Sequence, residues 1–433
     1  MYISILRYSK AIIIALVLGF SFQVAVYGEQ TEVIIGTERG YIGSGKIIIA
    51  ISQFSPMTEA DGKTLEHKYL TDILKNDLYL TGMFSIQESL PAKEKDDINF
   101  AQLLTDGINY AAIATYTIRK DELSVIGVLY NVDGMFMVFK KKYEGSEANH
   151  RALVHQFAED IMKNLTGSNG ITGSKIAFVS DFSGNKEVYV ADYDGYNIRQ
   201  ITREKSLALL PRWSPDKGRI IYTSYKDRKP YLYVLDSKGG PSKRLFVSSY
   251  SNIGGSWSPK GRFAALTMTV NGNSDVYVYD EKNNKLKNLT NSWAIDTSAS
   301  WMGDEILFTS DRSGNPQVYV MDTEGTNLRR LTFEAKYNDS AVWSARANLI
   351  VFVSLEDSGF NIFTIRADGS DRKRLTYNDG SNENPSWSPD GNQIIFTSNR
   401  SGKKRIYVMR ADGEYERPLF SLNGNCETPS WSQ

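Results

Sequence analysis

Six tryptophan-centred segments recur along this chain at almost constant spacing, and no other feature restricts its fold as strongly. Trp213-Ser214-Pro215-Asp216-Lys217-Gly218, Trp257-Ser258-Pro259-Lys260-Gly261 and Trp387-Ser388-Pro389-Asp390-Gly391 are close copies of one another. Trp301-Met302-Gly303-Asp304, Trp343-Ser344-Ala345-Arg346 and Trp431-Ser432 are worn copies. The steps between these tryptophans are 44, 44, 42, 44 and 44 residues. A period in the forties marks a propeller or a solenoid, where one repeat cannot bury its own apolar face and must stack on the next.

Each repeat reads as four short strands. In the unit from Glu305 to Trp343, Ile306–Ser310 is rich in β-prone residues, and Asp311-Arg312-Ser313-Gly314-Asn315 is turn chemistry. Gln317–Met321 is a second strand, Leu328–Thr332 a third, and the approach to Trp343 a fourth. Such a unit is an antiparallel blade. Five further units keep the frame: Ile176–Ser180 with Val188–Ala191, Ile220–Ser224 with Leu232–Leu235, Phe263–Thr267 with Val276–Tyr279, Leu349–Ser354 with Ile362–Ile365, and Ile394–Ser398 with Ile406–Met409. The tryptophan is read as packing between neighbouring blades, because a large flat ring buries much area there. A catalytic or ligand-stacking Trp is the alternative, and its presence in every blade argues against it. The first unit lacks a preceding Trp strand, and the last Trp strand, Glu427–Ser432, lacks followers. The C-terminal strand is therefore expected to complete the first blade and close the ring, removing an exposed sheet edge.

The rest of the chain precedes the repeats. Residues 1–28 read as a cleavable secretory signal: Arg7 and Lys10, then the apolar run Ala11–Phe22, with cleavage near Gly28. With no second long apolar run, the mature chain is expected to be soluble and exported. Residues 29–40 form a short apolar knot, Glu32-Val33-Ile34-Ile35, among polar residues and glycines. Gly40-x4-Gly45-Lys46-Ile47 only approximates a phosphate loop, since Ile47 stands where a hydroxyl residue should hold magnesium. Residues 41–166 mix strands (Ile47–Phe54, Phe84–Gln87, Tyr110–Ile118, Leu123–Tyr130, Met135–Tyr143) with helices over Leu65–Leu80, Ala101–Leu104 and His150–Leu165. This predicts a small α/β sandwich with one sheet face covered. Residues 167–174 are a glycine-rich linker, and 175–433 hold the six blades.

Charge and missing motifs narrow the chemistry. Fifty basic residues balance fifty acidic ones and no basic stripe appears, which disfavours nucleic-acid binding. A single cysteine, Cys426, rules out a disulfide framework. The three histidines, His67, His150 and His155, have poor metal spacing and read as surface residues. There is no G-x-S-x-G elbow, no H-E-x-x-H and no CxxC pair. Asp192-x-Asp194-Gly195 resembles the start of a calcium loop but lacks its closing Glu, so turn formation explains it better. No cofactor, metal or catalytic residue is expected.

Taken in order, these parts (signal, short peptide, small α/β domain, glycine linker, six Trp-Ser-Pro-Asp-Gly-type blades) resemble the TolB family, periplasmic components of Tol–Pal envelope systems. The resemblance implies a non-enzymatic scaffold acting in outer-membrane invagination during division and in outer-membrane integrity. It implies docking of the peptidoglycan-associated lipoprotein Pal at the channel mouth. It also implies signalling to the inner-membrane protein TolA through the N-terminal peptide, carried here by Glu32, Val33, Ile34 and Ile35. The residues leading into each Trp should project at that mouth: Leu209, Ser251, Asn252, Thr297, Ser298, Asn338, Asp339, Asn382, Glu383, Asn384 and Glu427. They vary while the Trp frame does not, as a partner-binding rim on a scaffold requires. A hydrolase or lyase acting on envelope polymers is the alternative, with Asp339 and Glu383 as its acids.

Overall fold

The computed structural model describes residues 46–58, 67–90, 98–167, 170–356, 359–377 and 380–433. The signal-like segment and the peptide Glu32–Ile35 lie outside these residues. The N-terminal part contains β1 (Ile47–Ser52), β2 (Ser55–Pro56), α1 (His67–Leu80), β3 (Phe84–Leu90), α2 (Phe100–Thr105), β4 (Tyr110–Arg119), β5 (Glu122–Asn131), β6 (Phe136–Ser146) and α3 (His150–Thr166). The sheet order is β3-β1-β4-β5-β6, with β2 beside β4. The first two junctions are parallel and the last two antiparallel.

Residue alternation along β4 shows why both faces of this sheet are covered. Ala112, Ala114 and Tyr116 join the core under α1 and α3, whereas Ala111 and Ile113 point the other way, toward Ile98, Ile108 and Val132. The expectation of one covered face is thus corrected: the short α2 and its flanking loop shield the second. Helix α1 contributes Leu70, Ile73, Leu74 and Leu78, one apolar stripe at helical spacing. Helix α3 ends at Gly167, whose φ of +70° and N–H to Lys163 O bond form a left-handed cap. Among the described residues no helix is long and apolar enough to cross a membrane.

The C-terminal part is six four-stranded antiparallel sheets. Their inner strands are Ala208–Trp213, Ser251–Trp257, Asp296–Met302, Asn338–Ser344, Asn382–Trp387 and Cys426–Trp431. The last pairs with Lys175–Ser180, placing Trp431 opposite Ile176 and Cys426 opposite Ser180, so the ring closes as the repeat pattern demands. No blade owns a core. Each of the six seams between neighbouring blades holds its own apolar cluster, as where Val188 and Val190 of the first blade meet Trp213, Ile220 and Tyr222 of the second.

The tryptophans sew these seams. The indole N–H of Trp213 donates to Ser430 O, that of Trp301 to Ser256 O and that of Trp387 to Val342 O, each at 3.0 Å. Every acceptor is the residue just before the preceding blade's Trp. A second repeated bond explains the Leu-Thr or Ile-Thr pair closing four of the six blades. The hydroxyls of Thr202, Thr290, Thr332 and Thr376 accept from the backbone N–H of Val188, Val276, Val318 and Ile362 at 2.8–3.0 Å. The second blade ends Leu245-Phe246 and has no such threonine. There Asn252 Oδ1 takes the equivalent N–H, that of Leu232, at 2.8 Å.

Candidate functional site

The channel wall is built by the inner strands. In all six, pairing to the next strand breaks between the fourth and first residues before the Trp. The residue three before the Trp is left-handed in every blade: Leu210, Gly254, Ser298, Ser340, Asn384 and Thr428 have φ between +51° and +63°. Only one is glycine, and a left-handed L-residue costs about 1 kcal/mol or more. These six bulges bend the strands around the channel and separate its two ends.

At the Trp end, the turns after the first and third strand of a blade face the α/β domain. Lys217, Arg346, Pro389 and Asp390 from such turns share a cleft with Glu159 and Gly170. The opposite end, away from that domain, is the mouth. There the residue four before the Trp is Leu209, Ile253 and Thr297 in the second to fourth blades, but Asp339, Glu383 and Glu427 in the fifth, sixth and first. The mouth therefore has an uncharged half, mostly apolar, and an acidic half. Asp339 accepts from Thr309 Oγ1 at 2.7 Å, and Glu383 from Ser381 Oγ at 2.6 Å. Burial beside Asp339 pushes the Tyr337 phenol up. Glu427 is paired with Lys186 and, at 2.9 Å, with Lys404. Burial opposes ionisation of Glu427, yet hydrogen bonds from the two ammonium groups outweigh it and hold the carboxyl below its usual range.

The structure divides the rim residues expected from sequence. Leu209, Ser251, Thr297, Ser298, Asp339, Glu383 and Asn384 are half-buried on the wall or lip of the channel, while Glu427 is buried beneath its two lysines. Asn252, Asn338 and Asn382 are fully inside the blades, which corrects their placement at the lip. Asn338 Nδ2 donates to Gln317 Oε1 at 2.9 Å, and Asn382 Oδ1 accepts from Arg400 at 2.8 Å. Their register, five before the Trp, is filled elsewhere by Ala208, Cys426 and the Arg312-paired Asp296, all buried, which marks an inward-facing position.

Sequence reasoning missed an apolar collar around the mouth. The loops entering the third, fourth and fifth blades expose Val247 (92%), Trp293 (79%) and Phe333 (70%), and Tyr377 is exposed on the loop entering the sixth. Single exposed apolar residues are ordinary. Four on the same class of loop, on one face of a ring, form a surface suited to contact. Trp293 was visible as the one tryptophan of seven outside the repeat frame.

A second polar cluster joins the two halves of the molecule and corrects the reading of His155 as a surface residue. His155 on α3 is buried, with Nδ1 2.7 Å from Asp77 Oδ2 on α1. Tyr193 hydroxyl donates to Asp77, and Arg151 donates to Asp194, both partners lying in the first blade's Asp192–Gly195 turn and its edge. Burial pushes the Asp77 carboxyl up, despite the opposing bonds from His155 and Tyr193. Ligand atoms of Asp77, His155 and Asp194 lie within 4.8 Å of one another, close enough to share a divalent cation. The Arg151 guanidinium already neutralises Asp194, so the cluster as built is an ion-paired clamp between domains. Gly82 seats the same junction: it caps α1 at φ +69°, and a Cβ there would lie 2.4 Å from Arg410 Cδ of the sixth blade.

The sequence model of the family described as "TolB beta propeller domain" matches residues 162–433. A "Protein TolB homolog" of Chlorobium chlorochromatii is 36% identical over 292 residues, covering 64% of this chain and 66% of that protein. A "Tol-Pal system protein TolB" of Desulfosudis oleivorans is 33% identical over 259 residues, covering 57% and 58%. In both the chain spans less than two thirds of the relative. A further TolB homolog, from Chlorobium luteolum, is 33% identical with 71% of each chain covered. The crystal structure of TolB from Acinetobacter baumannii superposes with a TM-score of 0.79 at 26% identity, covering 89% of this chain and 96% of that one. A family match over more than half the chain, on six closed blades and the same two-part architecture, places this chain in the TolB family.

Proposed function

We propose that this chain is a non-enzymatic component of a Tol–Pal system, working in the periplasm after export by its first 28 residues. Its mouth docks the lipoprotein Pal, and its N-terminal peptide, with Glu32, Val33, Ile34 and Ile35, engages TolA. Through both it serves outer-membrane invagination at division and the integrity of that membrane. The observation that carries the reading is the contrast within each inner strand of a TolB-family ring. The Trp position is uniform, whereas the position four residues earlier changes from blade to blade and forms an acidic half and an uncharged, mostly apolar half under an exposed apolar collar. Such a lip offers buried apolar anchoring and oriented charge together, the two ingredients of specific protein contact. The TolA arm rests on the resemblance of residues 29–40 alone.

The docking reading is tested by titrating the soluble domain of Pal against the protein and two variants. Asp339→Ala with Glu383→Ala, and Trp293→Ala with Phe333→Ala, should each weaken binding about tenfold or more, equivalent to about 1.4 kcal/mol, while leaving thermal unfolding unchanged. Pal that binds both variants as it binds the parent, or not at all, overturns it. Turnover of an envelope polymer abolished by the acidic pair would instead establish the enzymatic alternative.

A further inference from the structure

The residue immediately before the Trp forms the channel's waist. It is Ser256, Ser300, Ser386 and Ser430 in four blades and Val342 in a fifth. In the second blade it is Arg212. The repeat frame asks for a small residue here, and one blade departs by inserting the longest cation. The same blade also departs two residues earlier, holding Leu210 in the left-handed region at φ +54° where glycine, serine, asparagine or threonine serves elsewhere. A local break of an otherwise consistent frame is where function concentrates.

Arg212 lines two cavities, one of about 110 Å³ toward the mouth and one of about 450 Å³ at the Trp end. Among the described lining residues of both it is the one charged side chain. Its Nη1 donates to Pro211 O at 2.9 Å, and among the described residues no carboxylate pairs with it. Three enclosed arginines of the ring are matched, Arg312 by Asp296, Arg372 by Glu356 and Arg400 by Glu416, whereas Arg417, at the outer edge of the sixth blade, shares the lack of a carboxylate but does not line the channel. Burial alone pushes the Arg212 guanidinium down to about 10, so it remains charged at neutral pH. An enclosed cation without a counter-charge is costly, and an anion relieves that cost. The blades on either side place Ser430 and Ser256 at the same level. The Ser300 hydroxyl donates to Ala341 O, and that of Ser386 accepts from the Trp431 N–H. The wider cavity is walled by Trp213, Trp257, Trp301, Trp343 and Trp431, a low-dielectric lining that strengthens any ion pair inside it.

We propose that the channel waist is an oxyanion-binding site. The Arg212 fork clamps a carboxylate or phosphate group, with hydroxyls of Ser256 and Ser430 donating from the flanking blades. The site lies below the Pal-docking lip, with which its smaller cavity shares Thr297, and the proposal does not depend on that reading. Calorimetry and thermal unfolding of the protein in sodium phosphate and in sodium benzoate, against sodium chloride at matched ionic strength, test it. Saturable millimolar binding with a rise in Tm is expected for the parent. Arg212→Gln should weaken it about tenfold or more without lowering the Tm in chloride. Ser256→Ala, which leaves the charge in place, should weaken it severalfold. Phosphate bound more tightly than benzoate identifies a free inorganic ion as the ligand class. Benzoate bound more tightly identifies an organic acid whose apolar body uses the tryptophan-walled cavity. An equal response from Arg212→Gln and the parent, or no saturable binding of either anion, overturns the proposal.

Discussion

Trp387 and Trp293 are the same residue put to opposite uses at the two ends of one channel. Trp387 is fully buried in the seam between the fifth and sixth blades and donates its indole N–H to Val342 O. Trp293 stands 79% exposed on the loop entering the fourth blade. What separates them is register: the first occupies the repeat position that every blade fills, the second lies in a loop that every blade fills differently. Invariance within a ring reports packing, and variation reports contact. The distinction needs no alignment of relatives, because six internal copies supply the comparison.

The strongest challenge to this contrast is removal of Glu427–Gln433. It takes away the first blade's inner strand and Trp431, whose indole donates to Ser174 Oγ at 2.7 Å. We expect the propeller to lose its cooperative unfolding transition, since the loss rivals the 5–15 kcal/mol that stabilises a typical domain. An unchanged melting curve would contradict ring closure by this strand. Next in size, Trp387→Ala should cost about 3–5 kcal/mol in denaturant unfolding. Trp293→Ala should stay within about 0.5 kcal/mol of the parent. Equal costs would erase the difference between the two ends. The smallest effect concerns pH at the acidic half of the mouth. Glu427 has a folded pKa below its unfolded value, so between the two the unfolded chain binds the extra proton and stability rises with pH. That contribution is complete above the ordinary glutamate range and is lost as pH falls through the depressed folded value. Glu427→Gln should flatten the acid limb of stability against pH, and an unaltered limb would show the triad to be energetically idle.

The ring was legible because its governing signal is local and repeated. The Trp spacing gave blade number, strand order and the need for a closing strand without any long-range information. The α/β domain was legible strand by strand from two- and 3.6-residue periodicity, but not the cover that α2 lends to its second face, since six residues carry little periodic signal. His155 was misjudged because its partners are 78 residues upstream at Asp77 and in the first blade. Nothing near it in sequence reports them. Asn252, Asn338 and Asn382 look like loop asparagines, and only the missing threonine of the second blade hints that Asn252 satisfies a buried N–H. Arg212 is the one charged letter in a column of four serines and a valine once the six segments are stacked on their tryptophans.

Ring closure also has a consequence in time. The N–H of Lys175 bonds to Ser432 Oγ, 257 positions later in the chain. During synthesis from the N-terminus, Lys175–Ser180 must wait for nearly the whole propeller before meeting its partner. Until then it presents a bare, strongly apolar sheet edge. Native-like intermediates with five blades formed and the first still lacking its inner strand should accumulate late, and assembly should be slow for the chain's size, because so distant a pairing must be found last. For such a chain the hazardous moment is the interval before its final strand arrives, when any stray strand can take the vacant place.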